Sequence, residues 1–269
     1  MGTVKPESTE KESEEDIKPL VSPSHKLKAT APLRWLRKGW EDFRHAPGYS
    51  LAYGIIMTLA SVFITYWSFR VGSITMVIVM LSGFIFVGPA LAMGLYSISC
   101  QLEKNNRVSF LACLGQGKKR IGNQMILSFV LLIVFLVWAR AASMSHIFFP
   151  MNGTELTSEL ITFYAIGSAV GSIFAVIIFC ATAFALPMIM DRDVDAITAM
   201  LTSFNAVLRN KSAMLVWALI IVLSLLLGFA TMFIGLMFFL PVIGHATWHG
   251  YRETIIADDW PQDAHTKLA

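Results

Sequence analysis

The chain has 269 residues, a mean hydropathy of +0.62 and only 14% charged residues, with a formal net charge of +3. Soluble domains average about 25% charged residues, so this composition excludes a single water-soluble globule. The small, dispersed positive excess excludes a nucleic-acid binder and leaves membrane orientation as the use of the basic residues.

Residues 1–31 are acidic and Pro-spaced, with Glu7, Glu10, Glu12, Glu14, Glu15 and Asp16 among Pro6, Pro19 and Pro23. A secretory signal needs the reverse, a basic start and an apolar core, and so little apolar surface predicts a disordered tail. Over 32–46, Leu33, Leu36, Trp40 and Phe43 share one helical face, opposite Arg34, Arg37, Lys38, Glu41 and Asp42. That pattern predicts an amphipathic helix in the headgroup plane. Residues 195–208 repeat it with Ile197, Met200, Leu201, Phe204 and Leu208 behind an Asp195 N-cap, and 109–120 is a shorter version.

Asp, Glu, Lys and Arg are absent from 45–69, 71–102, 121–139, 160–190 and 212–251. About 20 apolar residues at 1.5 Å each cross a hydrocarbon core of about 30 Å, and 212–251 is long enough to cross twice. Gly228 and Gly235 bracket the expected turn. The predicted fold is therefore all-α, a polytopic membrane helix bundle of six spans with cytoplasmic amphipathic interfacial helices. The spans lie at about 49–69, 72–97, 122–140, 162–188, 213–230 and 232–250 within a membrane domain of 32–256, followed by a flexible cytoplasmic tail over 257–269. With both termini cytoplasmic, only Arg70 and Arg140 of the membrane domain's basic residues fall outside, as the positive-inside rule prefers. A surface helix, an ascending span and a descending span with Pro89, Pro187 or Pro241 then recur three times.

Few residues suggest chemistry. Cys100, Cys113 and Cys180 lack a paired spacing and read as packing residues. His245 and His249, four residues apart, would share a helix face as two ligands of a metal or haem, with Asp191, Asp193 or Asp195 as a third. The alternative is interfacial hydrogen bonding beside Trp248 and Tyr251. The Asp191 to Asp195 run reads first as helix punctuation, and Arg140 as a snorkelling cation rather than an anion site. Gly167 and Gly171 with Ser168 and Ser172 form a small face suited to helix packing within the chain or against a partner. Asn152-Gly153-Thr154 fits a glycosylation acceptor, or simply a turn. Ionisable residues are missing from the central turns of the spans, which weighs against a coupled pump.

The strings Leu36-Arg-Lys-Gly-Trp-Glu-Asp-Phe43, Gly88-Pro-Ala-Leu-Ala-Met-Gly-Leu-Tyr96, Ala185-Leu-Pro-Met-Ile-Met-Asp-Arg-Asp-Val-Asp-Ala196 and Pro241-Val-Ile-Gly-His-Ala-Thr-Trp-His-Gly-Tyr-Arg252 resemble the bacterial integral membrane family catalogued as domain of unknown function 2189. The resemblance, over about 32–256, implies a multi-span protein of the bacterial inner membrane and brings no activity. An oxidase-subunit role carried by some members' labels would need several histidines within the spans, and only His146, His245 and His249 lie near them. The expectation is a non-enzymatic accessory or envelope-homeostasis component acting by association, with no cofactor. Its partners are the lipid bilayer and a membrane protein or a second copy, not nucleic acid. The alternatives are a small-molecule or lipid permease with a neutral pathway, and a haem or metal protein using His245 and His249.

Overall fold

The computed structural model describes residues 19–72, 74–104, 108–109, 121–148 and 157–262. Within these the chain is helical, with two isolated β-bridges and no strand. The helices are α1 (Ala31–His45), α2 (Pro47–Val71), α3 (Ile74–Glu103), α4 (Ile121–Phe148), α5 (Thr157–Thr182), α6 (Ala185–Asp191), α7 (Ala196–Arg209), α8 (Lys211–Ala230) and α9 (Leu236–Thr254).

Among the described residues, five helical stretches are long and apolar enough to cross a membrane: Pro47–Val71, Met80–Glu103, Ile121–Ala142, Ala165–Asp191 and Lys211–Ala230. The expected sixth, 232–250, is not among them. Its helix begins only at Leu236, and the half from Gly244 onward is rich in polar and charged residues. That half is also deeply enclosed, with His245, Ala246, Trp248 and Tyr251 almost wholly buried.

Glycines explain how α9 is enclosed. A Cβ on Gly39 of α1 would lie 2.6 Å from the amide nitrogen of Ala246 and 2.6 Å from the carbonyl oxygen of Val242. One on Gly54 of α2 would lie 2.1 Å from the carbonyl oxygen of Met237. Both helices therefore meet α9 backbone to backbone, a spacing only glycine permits. Gly250 of α9 admits the Trp35 ring in the same way, and that ring packs edge-on against Trp217 of α8 at 5.6 Å.

This packing corrects the expectation for α1. Instead of seating Leu33, Leu36, Trp40 and Phe43 together in lipid, α1 buries Ala31, Pro32, Trp35, Gly39 and Phe43 against the protein and leaves Leu33 and Trp40 exposed. Its apolar arc spans more than the four residues chosen, and α9 takes the half with the glycine. In α7 the expected face is the outer one: Ile197, Leu201, Phe204 and Leu208 are exposed, while Ala199, Thr202, Ser203 and Ala206 are buried.

The span expected at 162–188 is broken between α5 and α6. Pro187 has no N–H to offer the carbonyl of Ala183, so the helical ladder fails there. The hydroxyl of Ser203, from α7, enters the gap. It accepts from the amide of Phe184 at 3.0 Å and donates to the carbonyl of Cys180 at 2.8 Å, replacing a direct helical bond between those two groups. The α8–α9 turn is where it was expected. It lies over 231–235, within the bracket of Gly228 and Gly235; its left-handed backbone falls at Met232 (φ 53°) and Phe233 (φ 71°), and the small size of the two glycines lets the helices close on each other.

Neither tail is free over its described part. In the segment before α1, Ser22 donates its amide to Thr202 Oγ1 at 3.0 Å, and Asn210 accepts from Leu27 N at 2.8 Å and donates to the His25 carbonyl at 3.0 Å. Ser24 bridges to Ile255, with His25 N donating to the Thr254 carbonyl and Ile256 N to that of Pro23. The disorder expected for 1–31 thus fails over 19–31, and the flexibility expected for 257–269 fails over 257–262, where Ala257 and Trp260 are buried. Polar side chains pin these segments where an apolar face is lacking. Residues 1–18, 110–120 with Cys113, 149–156 with Asn152, and 263–269 lie outside the described residues, as does the side chain of His146.

Candidate functional site

Alternate helix ends gather into one polar layer. The start of α2 contributes Ser50, the end of α3 Ser99 and Glu103, the start of α4 Asn123, the end of α6 Asp191, and the end of α9 the run from His245 to Glu253. Of the candidate residues, His245, His249 and Asp191 lie in this layer, while Arg140 and the small face at Gly167 to Ser172 lie away from it.

His245 is fully buried between two helices other than its own. Its Nε2 lies 2.9 Å from Ser50 Oγ and its Nδ1 lies 2.8 Å from Ser99 Oγ. In a neutral ring one nitrogen donates and the other accepts, so one serine receives the ring proton and the other gives its own. His249, one turn on, turns to α1 instead, with Nε2 2.8 Å from Asp42 Oδ2. The two histidines share a helix face but serve different neighbours, and both ring nitrogens of His245 are already occupied. Among the described residues no group of three or more His, Cys, Asp or Glu side chains is placed to hold a metal ion.

Asp191 is 2% exposed and tied to its surroundings by one oxygen. Asp191 Oδ2 accepts from Tyr251 OH at 2.9 Å and Arg192 Nε at 3.0 Å, with Arg252 Nη1 at 3.6 Å. Arg192 passes the connection to the C-terminal segment through Nη1 and the Trp260 carbonyl at 2.9 Å. Glu103 accepts from Trp248 Nε1 at 3.0 Å and lies 3.5 Å from Arg252 Nε. Glu253 accepts from Trp35 Nε1 at 3.0 Å and pairs with Arg34. Asp191 is a buried charge and persists because it is paired; with the half-exposed Glu103–Arg252 and Arg34–Glu253 pairs it joins α1, α3, α6 and α9.

Asp195 is the N-cap the spacing predicted. Its Oδ1 accepts from the amides of Ile197 and Thr198, both at 2.9 Å. Partial burial pushes the carboxyl up, but these amide bonds outweigh it and hold the group below the usual carboxylate range. Asp193 donates its amide to the Pro261 carbonyl at 3.0 Å, so the three aspartates serve three separate structural ends. Cys100 and Cys180 are buried free thiols.

Away from this layer, Arg140 is exposed on α4. Gly171 faces Trp138 across a groove of about 240 Å³ between α4 and α5, lined also by Phe135, Phe174, Ala175 and Ile178. The other half of the small face, Gly167 and Ser168, is exposed, with the Ser172 hydroxyl bonded back to the Ser168 carbonyl.

Sequence reasoning passed over Ser50, Ser99, Asp42, Glu103 and Glu253, which hold the layer together, and Ser203, which fills the break between α5 and α6. Glu103 and Asp42 carried a signal, as acidic residues at the end of a span and on an amphipathic helix. The serines carried none, because serine is ordinary in membrane helices.

Residues 76–191 match the model of a family described as predicted integral membrane protein, DUF2189. The match takes in the Gly88 string and the Ala185 string as far as Asp191, and leaves those at Leu36 and Pro241 outside it. No curated protein and no solved structure matches the chain.

Proposed function

We propose that this member of the DUF2189 family of predicted integral membrane proteins crosses a bacterial inner membrane six times, with both ends in the cytoplasm, and acts there by association rather than by chemistry of its own. Parity supports the crossing number. Ser24 pairs with Ile255, so the segments before α1 and after α9 share one side of the membrane, and a chain whose ends share a side crosses an even number of times. Five apolar stretches need one return, and α9 supplies it. The cytoplasmic assignment of that side rests on its basic residues, Arg34, Arg37, Lys38, Arg44, Lys104, Arg192, Arg209, Lys211 and Arg252, against Arg70 and Arg140 at the other ends.

The observation that carries the association reading is the use of the polar layer. Asp191, Glu103, Glu253, His245 and His249 are each hydrogen-bonded to another helix, which builds a platform by tying α1, α2, α3 and α6 to α9. A platform suits a component that holds or is held by another membrane protein. The test has two arms. Reporter fusions at residue 48, at residue 205 and at the C-terminus should read cytoplasm, and a fusion near Asn152 the outer side; a C-terminal fusion reading outside overturns six crossings. Purification in mild detergent should give a defined complex larger than the monomer. Flux of a small solute in vesicles, or stoichiometric metal or a haem absorbance band, would overturn the association reading in favour of a permease or a metalloprotein.

A further inference from the structure

The outer ridge of α7 has no partner within the chain. From Ala196 to Leu208 the helix contains no charged residue, and Ile197, Leu201, Phe204 and Leu208 stand 58%, 41%, 38% and 47% exposed along one face. The opposite face is packed with small and hydroxyl side chains, Ala199, Thr202, Ser203 and Ala206, each fully buried. A helix on the aqueous surface of a protein is built the other way round, with its large apolar side chains inward. A contiguous apolar ridge of this kind marks a surface that something covers.

We propose that the occupant is the bilayer leaflet on the side where the chain's ends meet, with α7 lying in it as an interfacial helix. Two observations select lipid. The helix packs on α5 and adjoins α8, two apolar helices whose own outer faces expose Val176 and Ile177, and Leu215 and Leu219. Where the helix ends, exposed Arg209 and Lys211 follow the ridge directly, and cations there suit both the helix C-terminus and the phosphates of a leaflet in which the ridge is seated. The ridge is independent of which side is cytoplasmic and of what the platform associates with.

Seating α7 in the leaflet gives its buried face a second meaning. Next to Leu201 and Phe204, Thr202 holds the N-terminal segment through Ser22, and Ser203 fills the break between α5 and α6. The helix is thus held by lipid on one side and locks two non-helical parts of the fold on the other, so that a displacement of α7 in the leaflet reaches both.

The experiment is a nitroxide scan of positions 197 to 209, one cysteine at a time, in the full-length Cys113→Ser chain in phosphatidylcholine and phosphatidylglycerol vesicles. Oxygen, which concentrates in lipid, and a water-soluble nickel chelate compete to relax each label. Labels at 197, 201, 204 and 208 should be relaxed more by oxygen, those at 205 and 209 more by nickel, with helical periodicity between them. Equal or greater relaxation of 201 and 204 by nickel overturns the proposal in favour of water, and exclusion of both reagents overturns it in favour of a protein partner or second copy. Hydroxyl-radical footprinting of the unlabelled chain in the same vesicles guards against label artefacts. Oxidation of Phe204 should fall several-fold relative to the denatured chain, while exposed Leu20 changes little; equal oxidation of Phe204 in the two states overturns the proposal.

Discussion

Replacing Ser203 with alanine removes one hydroxyl and strands two backbone groups. The amide of Phe184 and the carbonyl of Cys180 are buried with their residues, at 1% and 3% exposure, and both bond to Ser203 Oγ. An interhelical hydrogen bond in a membrane protein is worth about 0.6 kcal/mol on average when its loss leaves alternatives, so two such bonds amount to about 1.2 kcal/mol. A buried donor left with no partner costs about 1–3 kcal/mol, and an under-satisfied carbonyl somewhat less. The alternative here is blocked. The amide of Phe184 can return to the Cys180 carbonyl only if the helix re-forms, and Pro187 lacks the N–H and the room for that. Ser203→Ala should therefore destabilise by about 2–4 kcal/mol, read as a shifted midpoint when the folded protein is titrated with sodium dodecyl sulfate and followed by circular dichroism. Pro187→Ala supplies the missing N–H, so in the Ser203→Ala background it should recover part of that loss while gaining nothing in the wild type. A Ser203→Ala loss at or below about 1 kcal/mol, or the same Pro187→Ala effect in both backgrounds, refutes the role of Ser203 as the bridge across the break.

Gly54→Ala would put a Cβ 2.1 Å from a backbone oxygen that cannot turn away, so loss of the folded protein or a cost above about 3 kcal/mol is expected. Gly48→Ala, with nothing within 4 Å, should be near neutral by the same titration. His245→Ala leaves the Ser50 and Ser99 hydroxyls unpaired in the core and should cost about 2–4 kcal/mol. Adding Ser50→Ala and Ser99→Ala should cost less than the separate effects sum to, and strict additivity would count against the shared triad. Asp195→Asn keeps the cap but removes its charge. Because the folded carboxyl titrates below the usual value of about 3.9, the ionised cap's contribution is complete above that value and is lost as the pH falls through the lower folded one. The wild-type advantage over Asp195→Asn should hold at neutral pH and vanish in acid, and an advantage that grows on acidification contradicts the assignment.

The sequence by itself determined what hydrocarbon demands locally. Spans can be read because a charge in the bilayer is expensive wherever it falls, so Asp, Glu, Lys and Arg are cleared from whole windows irrespective of tertiary neighbours. The Asp195 cap was visible for the same reason: its partners, Ile197 and Thr198, are two and three residues away. Which part of an apolar arc meets protein and which meets lipid was not visible, since the two surroundings select the same residue types. Trp35 and Phe43 went inward on α1 while Leu33 and Trp40 stayed out, and only the position of Gly39 against Ala246 decided it.

The polar layer depended still more on the tertiary structure. His245 and His249 have a ligand's spacing, but whether a ring nitrogen is free to bind depends on Ser50, Ser99 and Asp42, about 150 to 200 residues earlier in the chain. The segment at 19–30 reads as disordered because it lacks an apolar face, yet Thr202, Asn210 and Ile255 supply the hydrogen bonds that order it. Apolar burial leaves a periodic trace along the chain, whereas a hydrogen bond between distant residues leaves none at either end.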